Sequence, residues 1–335
     1  MKIKHLGEFG LIERLGRILP CPSDRVIKGI GDDTAVLRPE QEKLVLMTTD
    51  MLIEDVHFSL RYFPPRAVGW KALAVNISDI AAMGGLPAQA TVSVGIPAHF
   101  DIDTIEGIYE GLRECASQYK TDIVGGDTVK SPHGLIINIT VLGWVEPELV
   151  TYRSGAKPGD IIMVTGPLGS SAAGLFLLNN EAAGVSAKIA EQAVASHLYP
   201  RARVDEGRVL SGSGYVTAMN DISDGLAGEI LEICFASGAG CELDEAALPI
   251  SPCAAETAGL AGVTPLEWAL KGGEDFELVF TVRPEGVEVV EHLMTEAGYL
   301  RPLRVGIILP AETGCCIMGK DGRAAIGPGG FNHFR

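Results

Sequence analysis

The sequence predicts a protein of α+β class in two domains, and three observations carry that reading. The chain has 335 residues, beyond the size at which one hydrophobic core usually suffices. Alternating apolar runs and helix-spaced apolar runs are interleaved through its first half. The text then changes after Trp144, where VEPELVTYRSGAKPGD is rich in Pro, Gly and charge before IIMVTG opens a fresh strand. That change puts a boundary near residue 150 and the domains at 1–149 and 150–335.

Taken in order, LVLMTTD (44–50), QATVSVGI (89–96) and LIINITVLGWV (135–145) read as strands, while RAVGWKALAVNISDIAAM and DTIEGIYEGLRECASQY carry helical spacing. The second helix is expected to open at Asp103, with Glu106 three residues on closing a capping box. The second half runs from strand IIMVTG through the glycine turn PLGS to helix SAAGLFLLNN. Helices are then expected over 188–198, 202–211, 224–237 and 287–297, with strands ELVFTV and PLRVGIIL flanking the last of them. No short-period repeat or low-complexity segment interrupts this order.

Composition narrows the function. Hydrophobic residues make up 47% of the chain and aromatics 6%, which suits an ordinary globular enzyme. The formal charge of −16 repels polyanions, and no basic cluster with interleaved aromatics offsets it, so nucleic acid is not an expected partner. No apolar run approaches the ~20 residues that span a bilayer, and MKIKHLGEFGLIERLG lacks the apolar stretch of a secretory leader. A cytoplasmic protein without membrane contact is expected. The seven cysteines include no CxxC pair, and adjacent Cys315 and Cys316 are badly placed for a disulfide, so reduced thiols are expected.

The informative residues are acids in apolar or glycine-rich company. GIGDDTAV holds Asp32 and Asp33, TTDML holds Asp50 after Thr48 and Thr49, and NISDIAAMGG holds Asp79. IVGGDT adds Asp127, NDISDG adds Asp221 and Asp224, and GGEDFEL adds Glu274 and Asp275. Such neighbours predict partial burial. Two carboxylates ~4 Å apart at an effective dielectric of about 20 repel by on the order of 4 kcal/mol, so a cation is expected among them. Asp, Thr hydroxyls and carbonyls are the ligands of a hard divalent ion, and Mg²⁺ is the expected one. Any single motif also fits a turn, since Asp before Gly fixes bends. Asp79 does not, because it lies inside an apolar helix where Asp is a poor helix former.

EF-hand spacing, a Walker A loop and protein-kinase motifs are all absent. Magnesium bridging a polyphosphate remains, and the glycines of GGDT would let backbone N–H groups approach an anion. VTGPLGSSAAGL fits either a tight strand-to-helix connection or a phosphate contact at a helix start. Arg153 fits a phosphate contact or a solvated side chain.

Together GEFGLI, GIGDDTAV, TTDML followed by His57, KALAVNISDIAAMGG, VGGDT, RSGAKPGD, DISDGL, GGEDFEL and GGFNHF resemble the thiamine-monophosphate kinase family, in order and across almost the whole chain. Its wider superfamily includes aminoimidazole ribonucleotide synthetase, selenophosphate synthetase and a hydrogenase maturation protein. The resemblance implies an α+β N-terminal domain with a mixed sheet that dimerises and an α/β-type C-terminal domain. It implies ATP used without a P-loop and several Mg²⁺ between the domains of each subunit of a homodimer. Carried over motif by motif, Asp33, Thr48, Thr49, Asp50, Asp79, Asp127, Asp221 and Asp224 would bind Mg²⁺. Tyr109, Gly126, Asp127, Arg153 and Ser223 would contact ATP, and His57, Glu274 and Phe331 would hold thiamine monophosphate. Phe331 stands where the family often has Tyr, keeping a flat ring and losing a hydroxyl. Tyr109 also fits a core aromatic, and His57 an ordinary hydrogen-bonded residue.

The activity so implied is phosphorylation of thiamine monophosphate to thiamine diphosphate by direct in-line transfer from ATP. The acceptor phosphate, with a second pKa of about 6, is already largely dianionic at neutral pH, so no general base is expected. Catalysis would rest on positioning and charge neutralisation through Asp50, Asp79, Asp127 and Asp221. Selenophosphate chemistry is disfavoured because Cys21, in PCPSDR, is not in a glycine-rich loop, and carbamoyl dehydration because the chain ends FNHFR without a terminal Cys.

Overall fold

The computed structural model describes residues 14–19, 24–28, 36–37, 39, 41–180 and 184–327. Asp32, Asp33 and Phe331 therefore lie outside the described residues. The chain divides into two compact units, one of residues 1–80 and 86–147, the other of 81–85 and 148–335.

In the first unit, strands β1 (Val26–Lys28) and β2 (Val36–Leu37) pair with each other. They precede β3 (Leu44–Ile53), helix α1 (Pro65–Ala82), β4 (Leu86–Pro97), α2 (Ile102–Gln118), β5 (Asp122–Ser131) and β6 (Ile136–Val145). The last four strands to be named form one sheet in the order β3-β6-β4-β5, with β4 and β5 parallel and the other pairs antiparallel. Its two faces differ as period-2 patterning requires. Ile137, Ile139 and Val141 of β6 are buried, and their alternates Asn138, Thr140 and Leu142 are half-exposed. The buried face belongs to the helices: a side chain at Gly143 would strike Ile80 of α1. The two helices touch closely because Gly69 and Gly111 lack side chains, each lying against the other helix's backbone.

The second unit contributes β7 (Ile161–Val164), α3 (Ser170–Asn179), α4 (Ala187–Leu198), α5 (Val204–Gly212), β8 (Val216–Asp221), α6 (Leu226–Ser237) and β9 (Ala239–Asp244). It continues with α7 (Pro252–Thr257), α8 (Pro265–Lys271), β10 (Leu278–Val282), α9 (Val287–Glu296), β11 (Leu303–Pro310), β12 (Cys315–Gly319) and β13 (Gly322–Ala325). Its seven strands run β13-β12-β9-β11-β7-β10-β8, with only β12 and β9 parallel. Alternate residues feed two cores: Ile162, Val164, Ala218 and Val279 pack with Ile230 and Ile233 of α6, while Met163, Met219 and Phe280 pack with Val290 and Met294 of α9. Both units are thus mixed sheets with helices, the expected α+β class.

Three local expectations are corrected. Helix α2 starts after Asp101, which makes no side-chain cap, and Glu106 closes no capping box because both its oxygens accept from the Arg14 guanidinium. GGDT lies inside β5. Asp50 likewise sits within β3 rather than at its end.

Candidate active site

The first acid group is built where β3 faces α1. Thr48 and Asp50 alternate onto the row that pairs with buried Val141 and Ile139, and Asp79 reaches them from α1. The Thr48 hydroxyl donates to Asp79 Oδ2 at 2.5 Å. Asp50 is pushed up to about 6, first by burial and then by the charge of Asp79. The sequence thus placed two carboxylates together on a half-buried surface. Oxygen donors under mutual repulsion fit a hard divalent cation.

Thr49 and Asp127 do not join this row. Thr49 pairs with Thr140 on the other face, where its hydroxyl donates to the Ile139 carbonyl at 3.0 Å and accepts from Asn138 Nδ2 at 3.2 Å. In β5 the register slips by one residue at Val124, so Gly126, not Gly125, pairs with Val92 and shares the row of Ile139 and Asp50. Asp127 pairs with Ser93, one position on, and accepts from the Thr128 N–H at 2.9 Å. Gly126 is required where it stands, because a Cβ there would lie 1.8 Å from the Val92 carbonyl oxygen.

The second acid group forms where two loops of the other unit are laced together beyond β8 and before β10. Asp221, buried, ends β8 opposite Leu278. Ile222 N–H donates to the Glu277 carbonyl at 2.7 Å, Phe276 N–H to the Ile222 carbonyl at 3.0 Å, and Glu274 N–H to the Ser223 carbonyl at 2.6 Å. Glu274 and Phe276 take left-handed φ values of 68° and 50°, a conformation that L-residues adopt only where surroundings impose it. These bonds bring Asp221, Ser223, Asp224 and Glu274 into one loop pair.

Glu229, in the first turn of α6, supports that loop and was missed by sequence reasoning. Its carboxylate accepts from the Asp224 N–H at 3.0 Å, the Ser223 hydroxyl at 3.2 Å and Asn220 Nδ2 at 2.5 Å. Burial pushes it up to about 7. Asn220 in turn accepts from Arg153 Nε at 2.9 Å, and Arg153 Nη1 meets Glu232 at 2.7 Å. Arg153 is therefore a half-exposed cation tied to the acidic loop. The signal for Glu229 was present: an acid in GLAGEI, the same apolar context that singled out Asp79.

Asp275 settles the glycine turn at Gly166 to Gly169. Its two carboxylate oxygens accept from Gly169 N–H at 2.6 Å and Ser171 N–H at 3.0 Å, at the start of α3. Those amides serve an internal carboxylate, so the phosphate contact considered for this turn is replaced by a protein acid. Burial raises Asp275 to about 7, the backbone bonds only partly opposing it. Next to it, Glu274 Oε2 lies 3.4 Å from Nδ1 of the buried His197, which also bonds the Ser171 hydroxyl at 2.9 Å. His197 carried no sequence signal, since helix α4 reads as ordinary amphipathic text.

His57 and Tyr109 have structural partners. His57 follows β3, and its Nδ1 accepts the Ile53 N–H at 3.0 Å, which puts the proton of a neutral ring on Nε2. Tyr109 is buried on the apolar face of α2 beside Ile105, Ile108 and Leu112, and burial pushes its hydroxyl up to about 12.

The two mixed-sheet units belong to the class of AIR synthase related proteins. Residues 31–145 match the AIR synthase related protein N-terminal domain, and residues 157–312 match the C-terminal domain. Within that class the chain belongs to the thiamine-monophosphate kinase family. It is 41% identical over 318 residues to the thiamine-monophosphate kinase of Bacillus subtilis (strain 168), covering 92% of this chain and 93% of that protein. The crystal structure of thiamine-monophosphate kinase from Stenotrophomonas maltophilia K279a superposes with a TM-score of 0.82 at 33% identity, over 96% of this chain and 98% of that one. AaThiL complexed with AMPPCP and TMP gives a TM-score of 0.77 at 35% identity, over 100% of this chain and 99% of that one.

Proposed function

We propose that this chain transfers the γ-phosphoryl group of ATP to the phosphate of thiamine monophosphate, directly and in line, yielding thiamine diphosphate and ADP. The observation that carries the reading is the Thr48, Asp50 and Asp79 group, an all-oxygen donor set whose paired carboxylates call for a divalent cation. Support comes from AaThiL, a relative at 35% identity solved with AMPPCP and TMP.

Asp50 and Asp79 would hold magnesium in the first unit, with Asp33 as a further ligand, and Asp221 and Asp224 would do so in the second; Thr49 and Asp127, on the opposite sheet face, stand apart from this group. Bound magnesium supplies neutralisation of phosphate charge and polarises the transferring group. Thr48 fixes the rotamer of Asp79 through its hydrogen bond, so the carboxylate is aimed before substrate arrives. Gly126, Tyr109, Arg153 and Ser223 would contact ATP; Arg153 is held at the acidic loop by Asn220 and Glu232. His57, Glu274 and Phe331 would contact thiamine monophosphate, the carboxylate of Glu274 suiting a cationic thiazolium. The acceptor phosphate is largely dianionic at neutral pH, so these residues position and neutralise rather than remove a proton.

A homodimer is part of the same proposal. Val45, Met47 and Met51 of β3 and Val129 of β5 are exposed on the sheet face away from the helices, Met47 by 74%. An apolar sheet face of this kind is covered well by a second copy. Among the described residues, no helix is long and apolar enough to cross a membrane.

A coupled assay for ADP release, run with and without thiamine monophosphate, tests the reading. Acceptor-dependent ADP is expected. ADP formed equally without acceptor, or none at all, contradicts it.

A further inference from the structure

We propose that the second unit holds a separate metal site, a three-thiolate seat formed by Cys234, Cys241 and Cys315 for a thiophilic divalent cation of the zinc class. The three sulfurs all lie within 4.8 Å of one another. A cation with metal–sulfur bonds of about 2.3 Å holds its thiolates about 4 Å apart, so this spacing needs only a small contraction.

The placement follows from the backbone. Cys234 lies in the last turn of α6, and the left-handed Gly238, φ 62°, turns the chain at once into β9, which carries Cys241. Cys315 opens β12 and is the direct register partner of Cys241 in the parallel β12–β9 pair. The Cys241 N–H donates to the Gly314 carbonyl at 3.1 Å, and Gly240 lies so near Gly314 that any side chain there would collide. Three elements thus deliver three thiols to one point, with Cys234 and Cys241 buried and Cys315 partly open to solvent.

Chemistry selects the ion. The sulfurs sit in an apolar cluster with Ile230, Ile233 and Leu243, and soft donors take zinc-class ions over magnesium, which prefers the oxygen sites already described. Three thiolates with a monovalent ion would bury a charge of −2, and with a divalent ion −1, so burial favours the divalent cation. Neighbouring Cys316 is not a ligand: its sulfur accepts from Arg323 Nε at 2.8 Å. The fourth position therefore falls to water on the open side of Cys315. Binding would release the thiol protons and tie the end of α6 to β9 and β12.

The test uses the full chain, reduced, in excess Mg²⁺, with zinc alone as the probe. After desalting against a weak chelator, one zinc per chain is expected, and X-ray absorption should show three sulfurs at about 2.3 Å. Cys315→Ser, at the partly open position, should lose at least tenfold in zinc affinity, while Cys253→Ser should not change it. Because Cys241→Ser risks the core, the wild-type absorption spectrum is the deciding measurement. A first shell of oxygen and nitrogen alone, no retained zinc with the thiols reduced, or unchanged retention in Cys315→Ser would each overturn the proposal.

Discussion

The Thr48 hydroxyl donates to Asp79 Oδ2 at 2.5 Å, joining a residue of the edge strand β3 to an acid that has no local reason to sit in an apolar helix. Asp50, on the same row of β3, feels the charge of Asp79 and stays protonated up to about pH 6.

Asp79→Asn keeps an oxygen acceptor for Thr48 but removes one of two like charges. Turnover should fall by on the order of 10²–10³-fold, the usual loss when a preorganised electrostatic group is removed. Thermal stability in chelator should be unchanged or higher, since the repulsion is gone. For the wild type, protons compete with metal at Asp50, so the Mg²⁺ concentration needed for half-maximal rate should rise as pH falls through about 6. ADP-release kinetics across Mg²⁺ and pH check both statements.

Asp275 makes a prediction about the metal-free fold. Its folded value of about 7 stands above the ordinary 3.8, so between those values the native state keeps a proton that the unfolded chain has released. Its contribution is complete below about pH 4 and is lost as pH rises through about 7. Urea unfolding at pH 5 and pH 8 should show lower stability at pH 8, and Asp275→Asn should reduce that difference, Glu229 and Asp50 keeping their shares of it.

Glu229→Ala leaves the Asp224 N–H and Ser223 hydroxyl without their acceptor. Stability should drop by about 1–3 kcal/mol, and the KM for MgATP should rise more than kcat falls, because the acidic loop is loosened rather than deleted. Glu229→Gln, which keeps one acceptor oxygen, should recover part of the loss. Denaturation and initial-rate measurements on both variants separate the two effects.

Met47→Asp puts a charge in the middle of the exposed apolar face of β3. Light scattering should find a dimer for the wild type and a shift toward monomer for the variant, with the circular dichroism spectrum preserved.

The sequence made α1, α2, β3, β4 and β6 legible because each carries a long, largely apolar stretch, to which α2 adds a clear helical period. It hid β5, whose DIVGGDTVKS contains two glycines, and β8, whose VTAMND is short and ends in polar residues. Glycines in β5 report a close approach to β4, which no local pattern announces.

The acids behaved similarly. Asp79 was readable because an ionisable group in apolar text demands a reason. Glu106 was misread because its partner, Arg14, lies 92 residues away, and a non-local guanidinium outcompetes a local cap. Asp275 was noticed but its work was not, and Glu229 was passed over despite its apolar context, because both hold backbone amides of loops that meet only after folding.

The most direct measurement follows the label of γ-labelled ATP in the presence of Mg²⁺ and thiamine monophosphate. It is expected in thiamine diphosphate, in amounts equal to the ADP formed and strongly reduced in Asp79→Asn. Label recovered as inorganic phosphate, or transfer undiminished by Asp79→Asn, would contradict it.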